Sequence, residues 1–594
     1  MALIGDLHGL EFAAVLLALA VARYSPWFPD QAFRKFEISA SRLAENRTLA
    51  IVTAGVSVVV LRLCLLPWLP VPRPFLNDEF SHLFLADTLL QGRLANPTHL
   101  LWRSFETIHI FQQPTNSSMY FPGGAMILAL GKLLFGHPWA GLLLSMGLVC
   151  SACCWALQGW MPARWAMLGS VFVILRLGLV SYWVNTYFGN PVTALGGALV
   201  LGALPRLQKN PRVQTAFLMG LGFVIMLLTR PYEGMLLSIP VALRLAFWAY
   251  GSSWRGVLKV LTPVAVCLAI CLAGLGVYFR HVTGSATTIP YAVNQQTYGW
   301  PLTLPWTTVQ FSTQSTPEFR NYFQYELDHR LNHTVPELFL VASAVKAQLN
   351  WRLYLGPALS IPLFTLGWWY RNRRIRALLV TGGFLLAMTA ITPNYPHYLS
   401  PMTVIFAAAA VMGVRHFRHY QYAGVAAGRR FTQMIPLILV LCIAARLAMG
   451  ARHVPLLAFN SGHLFTSWCC GDRGQVDQTA VMEQLPPGGQ HLIVVRYRPW
   501  HDFVAQWIYN EPDIDRARVV WARELDPDQN AKLTTYFHNR QVWLFEPDLT
   551  PPQLKPYTGA SILRHASTGD SAGNSRALAG GATTWGQTKT PDHP

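Results

Sequence analysis

Long apolar runs separated by short polar stretches organise most of this chain. They fall near residues 48–70, 138–159, 163–181, 191–204, 213–229, 234–250, 257–279, 353–370, 376–392, 397–414 and 431–449. A bilayer core takes roughly 20 apolar residues as a helix, and several of these runs are shorter, so their order is firmer than their ends. A further apolar stretch, residues 9–25, reads as either a marginal extra span or a helix lying on the membrane surface. It does not read as a cleaved signal: residues 1–8 hold no Lys or Arg, and Ala22-Arg23-Tyr24 is a poor cleavage context. The expected fold class is an all-α polytopic membrane protein with roughly eleven or twelve transmembrane helices.

One apolar segment, 122–136, is short for a span and begins with Pro122, a residue suited to the first turn of a helix. If it crosses the membrane, every later loop inverts. If it lies in the interface, the basic clusters at 34–47, 206–212, 371–376 and 415–430 all face the cytoplasm. The second arrangement satisfies the positive-inside rule at every loop and is adopted. It puts a loop at 71–137, the turn from Ser181 to Asn190, a loop at 280–352 and everything after about 450 on the external side.

The pattern changes near the C-terminus. Leu492-Ile493-Val494-Val495, Val519-Val520-Trp521 and Val542-Trp543-Leu544-Phe545 look like strands, separated by polar segments of helical length. This predicts a small external α/β domain over 451–555. From 556 to 594 the chain is rich in Gly, Ser, Thr and Ala, and disorder is expected there. The expected division is an N-terminal hydrophobic segment and basic loop (1–47), a transmembrane domain (48–450), the α/β domain and the tail. No internal repeat is visible.

Composition supports the membrane reading, with 52% hydrophobic and 12% charged residues. The net charge of +18 would suit a nucleic-acid binder. The basic residues instead sit in short clusters between apolar runs, and no nucleic-acid module is present, so that class is excluded. Seven of the nine cysteines lie in apolar runs and read as small hydrophobes. Cys469 and Cys470 lie in a polar region; vicinal cysteines rarely bridge each other, and no metal-ligand spacing surrounds them.

Chemistry gathers on the external side. In so charge-poor a chain, the acidic pair of Asn77-Asp78-Glu79-Phe80, just past the run that ends near Leu69, is a functional candidate. The bland alternatives are a solvated loop start, or Asp78 as the N-cap of the next helix. The same loop continues with Phe105-Glu106-Thr107-Ile108-His109 and then Tyr120-Phe121-Pro122-Gly123-Gly124. Later come Tyr182-Trp183-Val184-Asn185-Thr186-Tyr187-Phe188-Gly189-Asn190, Thr229-Arg230-Pro231-Tyr232-Glu233-Gly234 and Pro393-Asn394-Tyr395-Pro396-His397-Tyr398.

The order of these motifs over roughly residues 48–415 resembles the GT-C superfamily of polytopic glycosyltransferases. The nearest subgroup is the bacterial family-39-like transferases, which include protein O-mannosyltransferases and lipid A aminoarabinose transferases. The resemblance implies transfer of a sugar, with inversion, from a polyprenyl-phosphate donor to a glycan, lipid or protein acceptor on the external face, periplasmic if the chain is bacterial. No G-x-G-x-x-G or P-loop is present, which suits a lipid-linked donor. Asp78 matches the family's catalytic acid and takes the role of general base or acceptor-orienting group, with Glu79 as its partner. No cofactor is fixed. A divalent metal, Mg or Mn, stays open, and Asp78 and Glu79 would then be its ligands.

Many relatives carry a second acid at the external turn, where this chain has Asn190, with Asn185 upstream. Glu106 and His109, three apart and on one face if helical, are candidate substitutes. Arg230, Arg280, Lys346 and His397 are candidates for the donor phosphate, and Tyr182 and Tyr398 for substrate contact. Each has a plainer reading: an Arg230–Glu233 pair, snorkelling cations at span ends, or an aromatic interfacial belt. Two other functions remain: a flippase for lipid-linked glycans, which predicts repeats and charges mid-span beyond Arg62, Arg176 and Arg244, and a non-catalytic scaffold that binds a partner through the 450–555 region.

Overall fold

The computed structural model describes residues 7–301, 316–365, 367, 373–390, 395–451, 468–469 and 478–557. The expected tail from 558 onward and Cys470 lie outside the described residues. The N-terminal part is a helical bundle, and a small mixed sheet follows near the C-terminus, so the fold is an all-α membrane bundle carrying an α/β unit. Six helices among the described residues are long and apolar enough to cross a bilayer. They are Leu7–Tyr24, Arg47–Cys64, Pro138–Trp160, Trp254–Thr283, Pro396–Phe417 and Ala427–Ala448. The chain is thus a multi-pass membrane protein.

The bundle begins with α1 (Leu7–Tyr24), α2 (Asp30–Glu45) and α3 (Arg47–Cys64). Helix α1 is no mere surface helix. Its Glu11 is fully buried and accepts two bonds from Arg176, at 2.8 and 2.9 Å, one from the Trp468 indole at 3.2 Å and one from the Ala358 amide at 3.1 Å. An ion pair with its remaining lone pairs satisfied is the form in which buried charge is tolerated. Arg62 is also spoken for. It donates to the Leu69 carbonyl at 2.9 Å, the Pro70 carbonyl at 3.2 Å and Asn185 Oδ1 at 2.9 Å.

Within the first loop, residues 71–137, lie α4 (Asn77–Leu90), a two-stranded hairpin of β1 (Ile110–Phe111) and β2 (Ser117–Ser118), and α5 (Pro122–Phe135). Helix α5 is the short apolar segment. It packs on α4, where Lys132 meets Asp87 at 2.7 Å, and turns Met126, Leu130, Leu133, Leu134 and Phe135 outward. That apolar outer face is what a helix lying in the interface presents to lipid. Its start must approach its neighbours closely: a Cβ on Gly123 would come within 2.7 Å of the Leu228 carbonyl oxygen.

Helix α6 (Pro138–Trp160) sets the axis of the molecule. At 1.5 Å per residue it is on the order of 35 Å long. At its start the Trp139 indole donates to the Val184 carbonyl, beside the turn 181–190. At its end Gln158 bonds the Arg47 carbonyl, and Arg206 bonds the Trp155 carbonyl. Arg418 and Glu37, 2.5 Å apart, lie near the same end, since Arg418 also stands over Trp165 just after α6. The basic loops 34–47, 206–212 and 415–430 therefore gather at one end, and the acidic loop gathers at the other.

The remaining bundle helices are α7 (Ala163–Val173), α8 (Asn190–Lys209), α9 (Val213–Thr229), α10 (Pro231–Tyr250) and α11 (Trp254–Thr283). The expected run 163–181 does not stay α-helical: it passes into a π turn, Ile174–Gly178, that holds Arg176. Three helices follow α11: α12 (Pro290–Tyr298), α13 (Pro317–Thr334) and α14 (Pro336–Tyr354). The expected run 353–370 breaks at Gly356, which has a φ of +59° and where an added Cβ would come within 2.5 Å of the Arg176 guanidinium, so glycine is required. Beyond it are α15 (Gly356–Ser360), α16 (Arg373–Ala390), α17 (Thr403–Phe417) and α18 (Ala427–Ala451).

The sheet has the order β4-β3-β5-β6, with β3 (His491–Val495), β4 (Val519–Arg523) and β5 (Gln541–Glu546) parallel and β6 (Gln553–Pro556) antiparallel. Parallel strands need both faces covered. Ile493, Val495, Trp521 and Phe545 pack with Phe75 and Phe80 of the first loop. Leu492, Val494, Val520 and Ala522 pack with Leu533 of α20 (Pro527–Tyr536), which follows the short α19 (Gln478–Met482), and with Phe105. The first loop thus clasps the sheet on both faces. Cys469 is disulfide-bonded, while the other seven described cysteines are free.

Candidate active site

The acidic pair splits. Leu76, not Asp78, is the N-cap of α4, and Asp78 is the second residue of the helix. Successive residues on a helix point about 100° apart, so its two carboxylates cannot share a target. Glu79 turns inward and is fully buried. Its Oε2 accepts from the Phe75 and Leu76 amides at 2.9 and 3.0 Å, and its Oε1 accepts from the Tyr187 amide at 2.9 Å. Glu79 is thus a clasp between the first loop and the turn 181–190, not a catalytic partner. A divalent ion bridging Asp78 and Glu79 does not fit this arrangement. Among the described residues no group of three or more His, Cys, Asp or Glu could hold a metal.

Asp78 faces a different set of groups. Its Oδ1 lies 2.6 Å from His109 Nδ1 and accepts a short bond from the Tyr120 hydroxyl. Both contacts fall on one oxygen, and the side chain remains 35% exposed, so the carboxylate can still meet a substrate. Burial alone would raise the Asp78 carboxyl. The His109 ring, the Tyr120 hydroxyl and His82 outweigh it and hold the group below the usual carboxylate range. His82, one turn along α4, stacks on Tyr120 with ring centroids 4.4 Å apart. Burial, with Arg230 and His109 adding to it against the pull of Asp78, lowers His82 to about 4. It is therefore neutral near pH 7.

The cationic side is Arg230, between α9 and α10. Its Nη1 stands 3.6 Å from Glu233, and its guanidinium lies 4.7 Å above the Tyr398 ring. The local pair is thus real, yet the charge also acts on Tyr120 and Tyr291, which pack edge to face at 5.6 Å. Tyr182 and His397 sit together behind Tyr398, with Tyr182 Oη 3.3 Å from His397 Nδ1. Asp78, His109, Tyr120, Arg230, Tyr398, His397 and Tyr182 form one aromatic-walled site.

Several sequence candidates go elsewhere. Glu106 and His109 share no helix face: the 3-10 turn Trp102–Phe105 ends before them, and Thr107 bridges Ile110. Glu106 instead joins Tyr298 and Arg523, and burial, the largest influence, raises its carboxyl. Asn185 holds Arg62 and donates to the Ser181 carbonyl at 2.7 Å, so it locks the turn. Asn190 opens α8, and its side chain lies outside the described residues. Arg280 is exposed on the last turn of α11, while Lys346 is buried on α14, where burial lowers its ammonium to about 8. A separate cleft of about 690 Å³ is lined by Gln113, Gln296, four threonines, Pro114 and Val293. Its lining holds no ionisable side chain.

The sequence reading missed the contribution of α13. His109 Nε2 lies 3.0 Å from the Tyr322 hydroxyl. Glu326, one turn on along the same helix, is partly buried, and burial, with Asp78 adding to it, raises its carboxyl to about 7 against the pull of Tyr322 and His109. Tyr325 shares a short bond with Tyr395, which also lies 3.2 Å from His329 Nε2. The spacing 322, 325, 326, 329 is one helix face, and that pattern is the signal that could have found these residues.

No family model matches the chain, and no curated protein matches it. Among solved structures it is similar to ArnT from Cupriavidus metallidurans bound to undecaprenyl phosphate. The identity is 13%, over 83% of this chain and 92% of that one, with a TM-score of 0.45. It is also similar to the Archaeoglobus fulgidus oligosaccharyltransferase in the apo form, at 10% identity over 84% and 69% of the two chains, with a TM-score of 0.39.

Proposed function

We propose that this protein is a membrane glycosyltransferase. It moves a sugar from a polyprenyl-phosphate donor to an acceptor at the end of the bundle that carries Asp78. The observation that carries this reading is a partly open carboxylate and a guanidinium at one cluster of aromatic rings: Asp78 is bonded to Tyr120, which packs on Tyr291, and Arg230 stands over Tyr398 and interacts electrostatically with both Tyr120 and Tyr291. A carboxylate held ionised takes the proton of an acceptor hydroxyl as its oxygen attacks the anomeric carbon. A guanidinium fits the leaving phosphate, on which negative charge develops as the glycosidic bond breaks. Tyrosine faces suit a sugar ring between the two. The segregation of basic loops to the far end supports an external Asp78 end, the periplasm if the chain is bacterial.

The test is mass spectrometry of envelope glycolipids and glycoproteins from a deletion strain, the same strain with the intact gene, and the same strain with Asp78→Asn, with protein levels matched. One glycan mass disappears in the deletion and returns only with Asp78, and its lipid-linked precursor accumulates in the other two. Loss of a general base slows transfer by about 10²- to 10⁴-fold. If Asp78→Asn restores the glycan in full, the assignment of Asp78 is wrong.

A further inference from the structure

Across α12 from the Asp78 cluster lies a second recess, the cleft of about 690 Å³. Its volume falls within the roughly 300–1,000 Å³ of small-molecule sites. We propose that it is a subsite for a neutral glycan. Resting on the transferase reading, this glycan is the part of the acceptor that is not modified.

Three segments build the cleft. The first loop gives Thr98 and Gln113, the end of α11 gives Thr283, and α12 gives Gln296 and Thr297. These walls are fastened to one another. Thr115, two residues past Gln113, donates to the Val282 carbonyl at 2.7 Å, and Asn294 of α12 donates to the Ile108 carbonyl at 3.2 Å. Helix α12 is the partition. Tyr291, Asn294 and Tyr298 recur at helical spacing on one face, where Tyr291 packs on Tyr120, while Gln296 and Thr297 lie on the opposite face. Gln113 is four residues past His109, so no more than about 14 Å of chain separates the cleft from the Asp78 site.

The hydroxyls of the lining are set as acceptors. Thr98 donates its proton to the Gln112 carbonyl at 2.6 Å, Thr283 to the Phe279 carbonyl at 2.9 Å and Thr297 to the Val293 carbonyl at 2.8 Å. With the proton committed to backbone, each oxygen keeps a lone pair for a donor in the cleft. Gln113 and Gln296, both exposed, add carboxamides, which donate and accept together. A sugar hydroxyl is itself a donor and an acceptor, so a polyhydroxylated ring matches this lining in both functions. Among the described residues no cation lines the cleft to take a phosphate or carboxylate, and no carboxylate lines it to take an amine. Only two apolar side chains line it, which leaves no place for an acyl chain or for the side-chain anchors by which peptides dock.

The experiment uses the full chain in lipid nanodiscs, with empty nanodiscs subtracted. The probes are oligosaccharides released from the native envelope by mild acid, split by anion exchange into a neutral and an acidic fraction, and an uncharged Gly-Ser-Thr hexapeptide. Saturation-transfer NMR reads binding without turnover. The neutral fraction receives saturation at its ring protons, and Gln113→Ala combined with Gln296→Ala weakens that binding by about 10-fold. Both side chains are exposed, so the double variant keeps the wild-type unfolding temperature. Asp78→Asn, across α12, keeps the signal. The second readout is transfer from a polyprenyl-phosphate-sugar probe to the neutral fraction. The double variant raises the KM for that fraction by about 10-fold, with kcat held and the KM for the donor unchanged. No signal from the neutral fraction, or one equal in wild type and double variant, overturns the subsite. A signal from the acidic fraction or the hexapeptide in place of the neutral one overturns the glycan class. Cleft-dependent binding with no sugar transfer by the wild type sinks the transferase reading and leaves the glycan site standing.

Discussion

At the scale of single residues, phase on a helix decides more than identity. Asp78 and Glu79 are neighbours with the same chemistry, yet one meets His109 and Tyr120 while the other meets three backbone amides. Asp78 was legible because a carboxylate after an apolar run in a charge-poor chain demands a reason. Glu326 was not, because its meaning depends on a contact between α13 and the first loop that no local pattern encodes. The two carboxyls also carry opposite signs in the pH dependence of folding. The folded-state value of Glu326 is raised, to about 7. Its contribution to stability is present below its unfolded value and is lost as pH rises through about 7. Thermal unfolding of Glu326→Gln against wild type checks this: the two nearly coincide at about pH 4.5, and the variant becomes the more stable by about pH 8. Equal differences at both ends would mean that Glu326 is not shifted.

At the scale of elements, most spans could be read from apolar runs, and three features could not. The run 163–181 hides a π turn, because Arg176 must leave the helix line to reach Glu11 on α1. The stretch 353–370 breaks at Gly356 for the same guanidinium. The presumed helical pairing of Glu106 with His109 fails because a 3-10 turn and a hairpin occupy that part of the loop, sending one side chain to Arg523 and the other to Asp78. What holds the loop is Glu79. Glu79→Ala removes the acceptor of three amides, two of them buried and one part-buried, and one of the buried ones lies in the turn 181–190. Unsatisfied buried donors cost about 1–3 kcal/mol each, so a loss of roughly 3 kcal/mol or more is expected. The check is a lower unfolding temperature together with faster amide exchange confined to 72–80 and 181–190. Glu79→Gln keeps one acceptor oxygen and loses less. Equal loss in the two variants would point to a charge effect in place of a clasp.

At the scale of the whole molecule, the α/β unit is part of the site's scaffold and not an appendage. Sequence reading found its strands from their apolar runs but left its role open, since the residues that join it to the bundle are polar and aromatic contacts far apart in the chain. Asn77 bonds the Phe503 carbonyl at 2.7 Å, and Phe503 packs against Tyr322 and Tyr325 with ring centroids 5.5 and 5.1 Å away. Asn321 bonds the Pro499 and His501 carbonyls at 3.2 and 3.1 Å. At the first turn of α13, Glu318 meets Arg523 in a short bond, and Arg523 also donates to the Glu106 carbonyl at 2.9 Å. Both side chains of that pair are 3% exposed, so removing one strands the other in a dry interface at a cost of about 3–5 kcal/mol. Arg523→Met alone therefore loosens α13, and with it Tyr322 and Glu326. Amide exchange over 317–334 and 499–507 rises, and transfer falls although no group that touches substrate has changed. Replacing both partners, Arg523→Met with Glu318→Leu, removes the stranded charge and restores most of the stability, because an apolar pair of similar volume is often as good as a buried ion pair. Recovery of stability with recovery of transfer makes the sheet a brace for α13. Recovery of stability without transfer would give Arg523 or Glu318 a direct part in binding substrate.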